Sequence, residues 1–435
     1  MSRDDSTPTD DQSQAPRCPR SLAFVLFVTD ALFTIVKTIF RSHKFRIEPT
    51  EEQKVLLEKH FGCVRFVYNY FLNERKVQYQ ESKKSTNYYQ QAAVLTQLKK
   101  KEETEWLNEV CSQALQHSLR CLETAYLNFF RGNAKFPKFK SKKENKNSFT
   151  SPHRVAIKDN RLCIFKFREG IKINLHREIE GEIHKATISK TPSGKYYASI
   201  LVEEQYEPAT KTGSMIGIDL GLKDFIVTSN NEHFKNPKFT KKYEKRLAKV
   251  QRHLNRKKKG SNSYEKQRRK VALVYEKITN SRKDNLHKIS KQLVVENDII
   301  CVETLNVKGM IKNPRLAKHI ADASWGTFVR FLEYKANWND KQVIKINRFY
   351  PSSKTCHKCG WIFQGLKLSM RSWQCIHCQT HLDRDENAAI NILNEGLRQN
   401  QTNSAGTVEN TGGEKRKTSS KKKHISLKPE AIEFL

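Results

Sequence analysis

Apolar residues recur at helical spacing through Leu56, Leu57, Phe61, Val64, Val67, Tyr68, Phe71 and Leu72, directly after Pro49-Thr50-Glu51-Glu52-Gln53. This predicts a helix with Thr50 at the N-cap and Gln53 closing a capping box, behind a short strand over His43–Ile47. A second helical stretch is expected from Tyr88 to Arg131, its apolar face running through Leu95, Leu98, Leu107, Leu115, Leu119, Leu122 and Tyr126. From Ser148 to Glu207 the period falls to two, as in Ala186-Thr187-Ile188-Ser189, which predicts a small antiparallel β unit.

A new order begins at Met215. Met215–Leu222 and Phe225–Thr228 read as hairpin partners, Asp298–Glu303 and Gln342–Asn347 as further strands. Phe239–Leu293 reads as a long basic helical stretch broken at Gly260–Ser263. Ala323–Trp338 has an amphipathic helical pattern, and Ala388–Leu397 is expected to be a short helix. Between the second helical stretch and the β unit, Arg131–Lys143 alternates Lys and Phe around Pro137, which excludes a good helix. It suits a solvated loop or a nucleic-acid contact, with ammonium groups on phosphates and rings on bases.

Composition narrows the partners. The 435 residues hold 80 Lys plus Arg against 46 Asp plus Glu, a formal net charge of +34. Such an excess calls for a polyanion, and its interleaving with aromatics favours nucleic acid over a membrane surface. Six of the ten cysteines are scattered without paired spacing, which fits a reducing compartment rather than a disulfide scaffold. Residues 1–20 are polar and read as disordered. Ser21–Phe40 is an apolar twenty-mer, but Asp30 and Lys37 argue against a span. A soluble N-terminus starting at Val36 is the competing expectation, and the polar segment 400–424 reads as a disordered basic tail.

The remaining chemistry lies in cysteines and acids. Cys356-x-x-Cys359 and Cys375-x-x-Cys378 have the spacing of a zinc ribbon, two knuckles closing a thiolate cage. Asp383-Arg384-Asp385-Glu386 follows at once. Asp219 and Glu303 each end an apolar strand, where a lone carboxylate is costly without a cation or donor. With one aspartate of the cluster they suggest a magnesium site for phosphodiester chemistry. Asp385 and Asp383 compete for that place, an N-cap being the structural alternative for either. Gly217 is expected to leave room beside the Asp219 carboxylate, and Gly221 to permit a tight turn.

Ile216-Gly-Ile-Asp-Leu-Gly221, Val302-Glu303-Thr-Leu-Asn-Val-Lys-Gly-Met310 and the cysteine knuckles followed by Asp383-Arg-Asp-Glu-Asn-Ala-Ala-Ile-Asn-Ile-Leu393 together resemble the TnpB (OrfB) family of insertion-sequence proteins. That family is related to the type V CRISPR effector nucleases. The resemblance runs from about Lys44 to about Leu397 and also takes in Arg65–Leu72.

It implies a multidomain α/β plus α+β chain: an RNase H-like (RuvC) nuclease core with a helical insertion and a zinc ribbon, preceded by a small β-barrel with its own helical insertion. The implied domains are an atypical extension at 1–40, a barrel at 41–50 and 132–212, and its helical insertion at 51–131. The nuclease occupies 213–350 and 380–398, the ribbon 351–379 and the tail 399–435. By motif, Asp219, Glu303 and Asp385 become the catalytic, magnesium-binding acids, and Cys356, Cys359, Cys375 and Cys378 the zinc ligands. The implied partners are a guide RNA and a double-stranded DNA target, with no small-molecule substrate and no membrane, in a cytoplasmic, nucleoid-associated setting. The implied activity is RNA-guided, Mg²⁺-dependent DNA cleavage. Its rivals are a non-cleaving accessory or regulator of transposition and a strand-transfer transposase. The family usually has glycine after the second knuckle; Gln379 stands there, and a left-handed turn at that position would be strained.

Overall fold

A computed structural model describes residues 36–142, 147–367 and 369–405, with the side chains of 403–405 excepted. The disorder and membrane expectations for 1–35 and the tail beyond 405 lie outside those residues.

The first half is a seven-stranded antiparallel sheet with helices inserted after its first strand. In chain order the elements are β1 (Lys37–Glu48), α1 (Glu51–Ser82), α2 (Tyr88–Leu98), a 3-10 turn at Glu102–Glu109 and α3 (Ser112–Phe130). Then come β2 (Asn147–Ser151), β3 (Ala156–Lys158), β4 (Arg161–Ile164), β5 (Phe167–Asn174), β6 (Glu182–Lys190) and β7 (Tyr196–Tyr206). The strand order is β2-β6-β7-β1-β5-β4-β3.

β1 is longer than the expected His43–Ile47. It pairs with β7 from Lys37 to Ile47, so residues 37–40 are sheet and not the end of an apolar segment. Alternation explains the extension: Ile39, His43, Phe45 and Ile47 point into the core. Lys37, one of the two charges that argued against a membrane span, forms an ion pair with Asp340 at 2.6 Å. Thr50 caps α1 reciprocally with Gln53. The expected single stretch over 88–131 is three segments, because Lys99–Glu103 is an unbroken charged run with no face to bury. The Lys/Phe loop is fixed rather than free: Asn69 exchanges two 2.8 Å hydrogen bonds with the Lys140 backbone. Lys76 stands over the rings of Phe136 and Phe139.

The second half continues with β8 (Met215–Leu220), β9 (Asp224–Thr228), β10 (His233–Lys235), α4 (Phe239–Lys242), α5 (Glu244–Asn255) and α6 (Asn262–Glu296). It ends with β11 (Ile299–Glu303), α7 (Val307–Met310), α8 (Pro314–Ala323), α9 (Trp325–Trp338), β12 (Gln342–Ile346), β13 (Ser372–Gln374), β14 (His381–Asp383) and α10 (Arg384–Ala405). Five strands form a sheet in the order β10-β9-β8-β11-β12. β8, β11 and β12 run parallel, while β9 and β10 are antiparallel.

Period two divides the faces of this sheet. Ile216, Ile218, Ile300 and Val302 pack with Leu286, Leu293, Phe328 and Leu332 of α6 and α9. Cys301 and Ile346 face Ile392 of α10. α10 starts earlier and ends later than Ala388–Leu397, so residues 399–402 are helix, not tail. Asp383 caps its start, and Arg398 bonds Glu395 one turn back at 2.8 Å. Among the described residues no helix is long and apolar enough to cross a membrane.

Candidate functional site

The site is assembled where parallel strands end. Val302 of β11 stands beside Ile218 of β8, so Asp219 and Glu303 come next on neighbouring strands. Their side chains turn away from the Ile218 and Val302 face, towards α10. Close backbone contact seats that helix. A Cβ on Gly217 would fall 2.1 Å from the Ala389 carbonyl oxygen, and one on Gly396 would fall 2.3 Å from Cys301 Sγ. Gly217 therefore makes room for the α10 backbone, not for a carboxylate as the sequence suggested. At Gly221 the requirement is likewise closeness, since a Cβ would meet the Asp224 carbonyl oxygen at 2.6 Å.

Asp385 lies in the first turn of α10. The ribbon hairpin delivers it, because β14 runs without a break into the helix and pairs with β13 from Ser372↔Asp383 to Gln374↔His381. Asp383 is occupied otherwise: its Oδ1 accepts from the backbone N–H groups of Asp385 (2.9 Å) and Glu386 (3.1 Å).

The three acids feel one another. Asp219 is pushed up to about 8, first by crowding among protein atoms, then by the charges of Glu303 and Asp385, with Arg384 and the Leu220 N–H opposing. Burial pushes Glu303 up to about 7, again opposed by the Leu220 N–H. Both side chains nevertheless keep some surface open to solvent. A bound cation would offset the cost of ionising two such acids beside a third. The triad is looser than the cysteine cage. Among the described residues, the groups whose ligand atoms all lie within 4.8 Å are the four cysteines and Glu182, His184 and Glu203.

In the ribbon, Cys356 Sγ lies 3.6 Å from Cys378 Sγ, and Cys359 Sγ 3.6 Å from Cys375 Sγ. A zinc ion bound by four thiolates at about 2.3 Å needs tetrahedral edges of about 3.8 Å, so the cage fits that ion. Trp373 and Leu382, flanked by Trp361 and Phe363, form a small core around it. Gly360 follows the first knuckle at φ 76° and Gln379 the second at φ 57°. Gln379 therefore occupies the left-handed turn that sequence reasoning marked as strained.

Sequence reasoning missed the polar groups that surround the acids. Arg371 of the ribbon reaches Asp385 Oδ2 at 3.5 Å, and its carbonyl accepts from the Arg384 N–H at 2.8 Å. Asn387 and Asn391 of α10 donate to the Ser352 and Thr355 carbonyls, the closest bonds being 2.6–2.8 Å. His233 stands 3.7 Å from both Asp224 and Glu386. Arg371 owes its place to hairpin register, which no spacing rule exposes. A polar pair at i, i+4 flanking the apolar run Ala388-Ala389-Ile390 is the one signal the sequence offered for Asn387 and Asn391.

Comparison with known proteins adds the family. A profile described as "Probable transposase" of the OrfB IS605 type matches residues 199–314. A "Cas12f1-like, TNB domain" profile matches 325–392, and a "Helix-turn-helix domain" profile of the same OrfB group matches 39–84. In this structure 39–84 is most of β1 followed by the single helix α1. A Streptomyces pristinaespiralis protein with the provisional name RNA-guided DNA endonuclease is 40% identical over 366 residues, 83% of this chain and 91% of that protein. Escherichia coli K12 InsQ, provisionally named in the same way, is 32% identical over 373 residues, covering 82% and 92%. A Cas12f1 chain, solved by cryo-EM in a complex with sgRNA and target DNA, shares the fold at TM-score 0.50 and 13% identity, covering 82% of this chain and 98% of that one. The chain belongs to the TnpB (OrfB, IS605-type) family.

Proposed function

We propose that this protein is an RNA-guided, Mg²⁺-dependent DNA endonuclease of an insertion sequence. The observation that carries the reading is the meeting of Asp219, Glu303 and Asp385 at the carboxyl ends of parallel strands, with the first two held above the usual carboxylate range. We read the sheet β10-β9-β8-β11-β12, with its antiparallel edge and parallel remainder, as an RNase H-like (RuvC) core. Residues 351–379 are its zinc ribbon. The first sheet, with α1–α3 inserted, is read as the guide- and DNA-holding domain.

Asp219, Glu303 and Asp385 would hold Mg²⁺, which when bound activates water and stabilises the leaving 3′-oxygen. The protein's share is positional. β8 and β11 fix two acids in one register, α10 brings the third, and Arg371 orients the Asp385 carboxylate. Cys356, Cys359, Cys375 and Cys378 would hold structural Zn²⁺ and so keep the hairpin that delivers Asp385.

The partners proposed are a guide RNA and a double-stranded DNA target, sequence being read by base pairing. Crowded cations support a polyanion. Burial and Lys283 depress Lys44, burial and Arg330 depress Lys283, and burial and Lys291 bring Lys335 down to about 8. Phosphates would relieve that repulsion. Such work is placed in the cytoplasm, at the nucleoid.

The deciding experiment co-expresses the chain with RNA from its own locus, sequences the RNA that co-purifies, and offers a plasmid bearing the matching target. Mg²⁺-dependent cleavage lost in Asp219→Ala is the expected result. Binding of RNA and DNA without cleavage would make the protein an accessory, and joining of DNA ends would make it a transposase.

A further inference from the structure

Phe349 is 85% exposed, more than any other large hydrophobic residue among those described. Isolated exposed apolar residues are ordinary, but the setting of this one is not. Ile346, three positions earlier, is paired with Glu303. At about 3.3–3.6 Å per extended residue, Phe349 stays within about 11 Å of that pairing. This is about three nucleotides at the 3.4 Å rise of a stacked strand.

The turn that presents the ring is rigid. Asn347 Oδ1 accepts from the Phe349 N–H at 2.9 Å, and the Asn347 carbonyl accepts from the Tyr350 N–H at 3.2 Å. Tyr350 packs against the cluster of Cys301, Ile346 and Ile392. On one side Thr304, next to Glu303, donates to the Ile346 carbonyl at 2.8 Å. On the other, Asn391 of α10 donates to the Ser352 carbonyl at 2.8 Å. The ring is thus bolted to the elements that bear two of the acids while it stays largely exposed to solvent, with the Arg348 guanidinium over it, 5.8 Å from its centre.

We infer that Phe349 is a stacking platform for an unpaired base of the DNA strand entering the acidic site. The inference rests on the nuclease reading of Asp219, Glu303 and Asp385. A flat ring accepts any base, and the adjoining guanidinium meets the phosphate, which suits a strand read elsewhere by pairing. The face is too small for a protein partner, and a cationic chain selects a polyanion.

The test uses the protein purified with its co-expressed RNA and a dT 12-mer carrying one 2-aminopurine, whose fluorescence falls on stacking. With Ca²⁺ to block cleavage, the wild-type protein quenches the probe. Phe349→Ala binds it about 5- to 150-fold more weakly, and Phe349→Trp restores both binding and quenching. Single-turnover cleavage in Mg²⁺ falls in parallel for Phe349→Ala. Equal quenching by Phe349→Ala and wild type overturns the platform. So does a change of oligomeric state on substitution, which would make the ring a protein contact. A platform that quenches in a protein inactive in Mg²⁺ would instead overturn the nuclease reading alone.

Discussion

Asp383 holds the helix that Asp385 opens: one carboxylate oxygen of Asp383 accepts from the backbone N–H groups of both Asp385 and Glu386. The two aspartates of one short motif thus divide the work, one fixing backbone and one facing the site. Asp385→Ala should abolish cleavage with little loss of stability. Asp383→Ala should cost about 0.5–2 kcal/mol, and Asp383→Ser should recover most of it. Urea denaturation together with a cleavage assay separates the pair. Equal inactivation by both alanines at unchanged stability would contradict the division.

Asp219 and Glu303 set a pH dependence. Their folded-state values, about 8 and about 7, lie above those of free carboxylates. The metal-free folded chain then binds more protons than the unfolded one between about pH 4 and pH 8. This contribution to stability is complete below the unfolded values and is lost as pH rises through 7 and 8. Mg²⁺ affinity should move oppositely, rising about tenfold per pH unit for each proton released between pH 6 and 8. Calorimetric titration with Mg²⁺ at several pH values measures it. In Asp219→Asn the steepness should fall by about one proton.

Gly217 and Gly396 form the seat of α10 on the sheet. A methyl on either would drive into protein atoms, the Ala389 backbone at Gly217 and the Cys301 side chain at Gly396. Gly217→Ala should be the harsher, because backbone cannot turn aside, at about 1–3 kcal/mol or more. It should also lower cleavage through displacement of Asp385. Cys301→Ala should relieve Gly396→Ala in part, since the Cβ at 301 would still lie 2.9 Å away, and leave Gly217→Ala unrelieved, as a double-mutant cycle in thermal denaturation would register.

Much of this arrangement was readable from residue pattern. Period two in Ile216-Gly-Ile-Asp already put Asp219 opposite the isoleucine face, Glu303 already stood where an apolar run stops, and Thr50 with Gln53 marked the start of α1. What escaped depended on contacts between distant segments. The purpose of Gly217 is invisible until α10 lies over it. Arg371 needs the β13–β14 register, and the length of β1 needs β7 beside it. Lys37 looked like a charge spoiling an apolar run because its partner, Asp340, is about three hundred residues away. The choice between Asp383 and Asp385 turned on which carboxylate the first helical turn consumes, a local matter that spacing leaves open.

Gln379 offers the last test, and it isolates the ribbon. The two knuckles are followed by residues in the same left-handed conformation, glycine at 360 and glutamine at 379. A side chain there costs about 1–2 kcal/mol relative to glycine, offset in part by the Gln379 amide donating to the Ile376 carbonyl at 3.0 Å. Gln379→Gly should therefore stabilise the zinc-loaded ribbon by up to about 1 kcal/mol. Slower loss of zinc to a chelator, followed with a chromogenic dye, would register it. Gly360→Gln, which adds the cost without that hydrogen bond, should speed the loss. Because β14 runs straight into α10, stripping the metal should also release Asp385 and end cleavage while RNA binding by the first sheet persists. Cleavage that survives complete zinc removal would uncouple the cage from the acids.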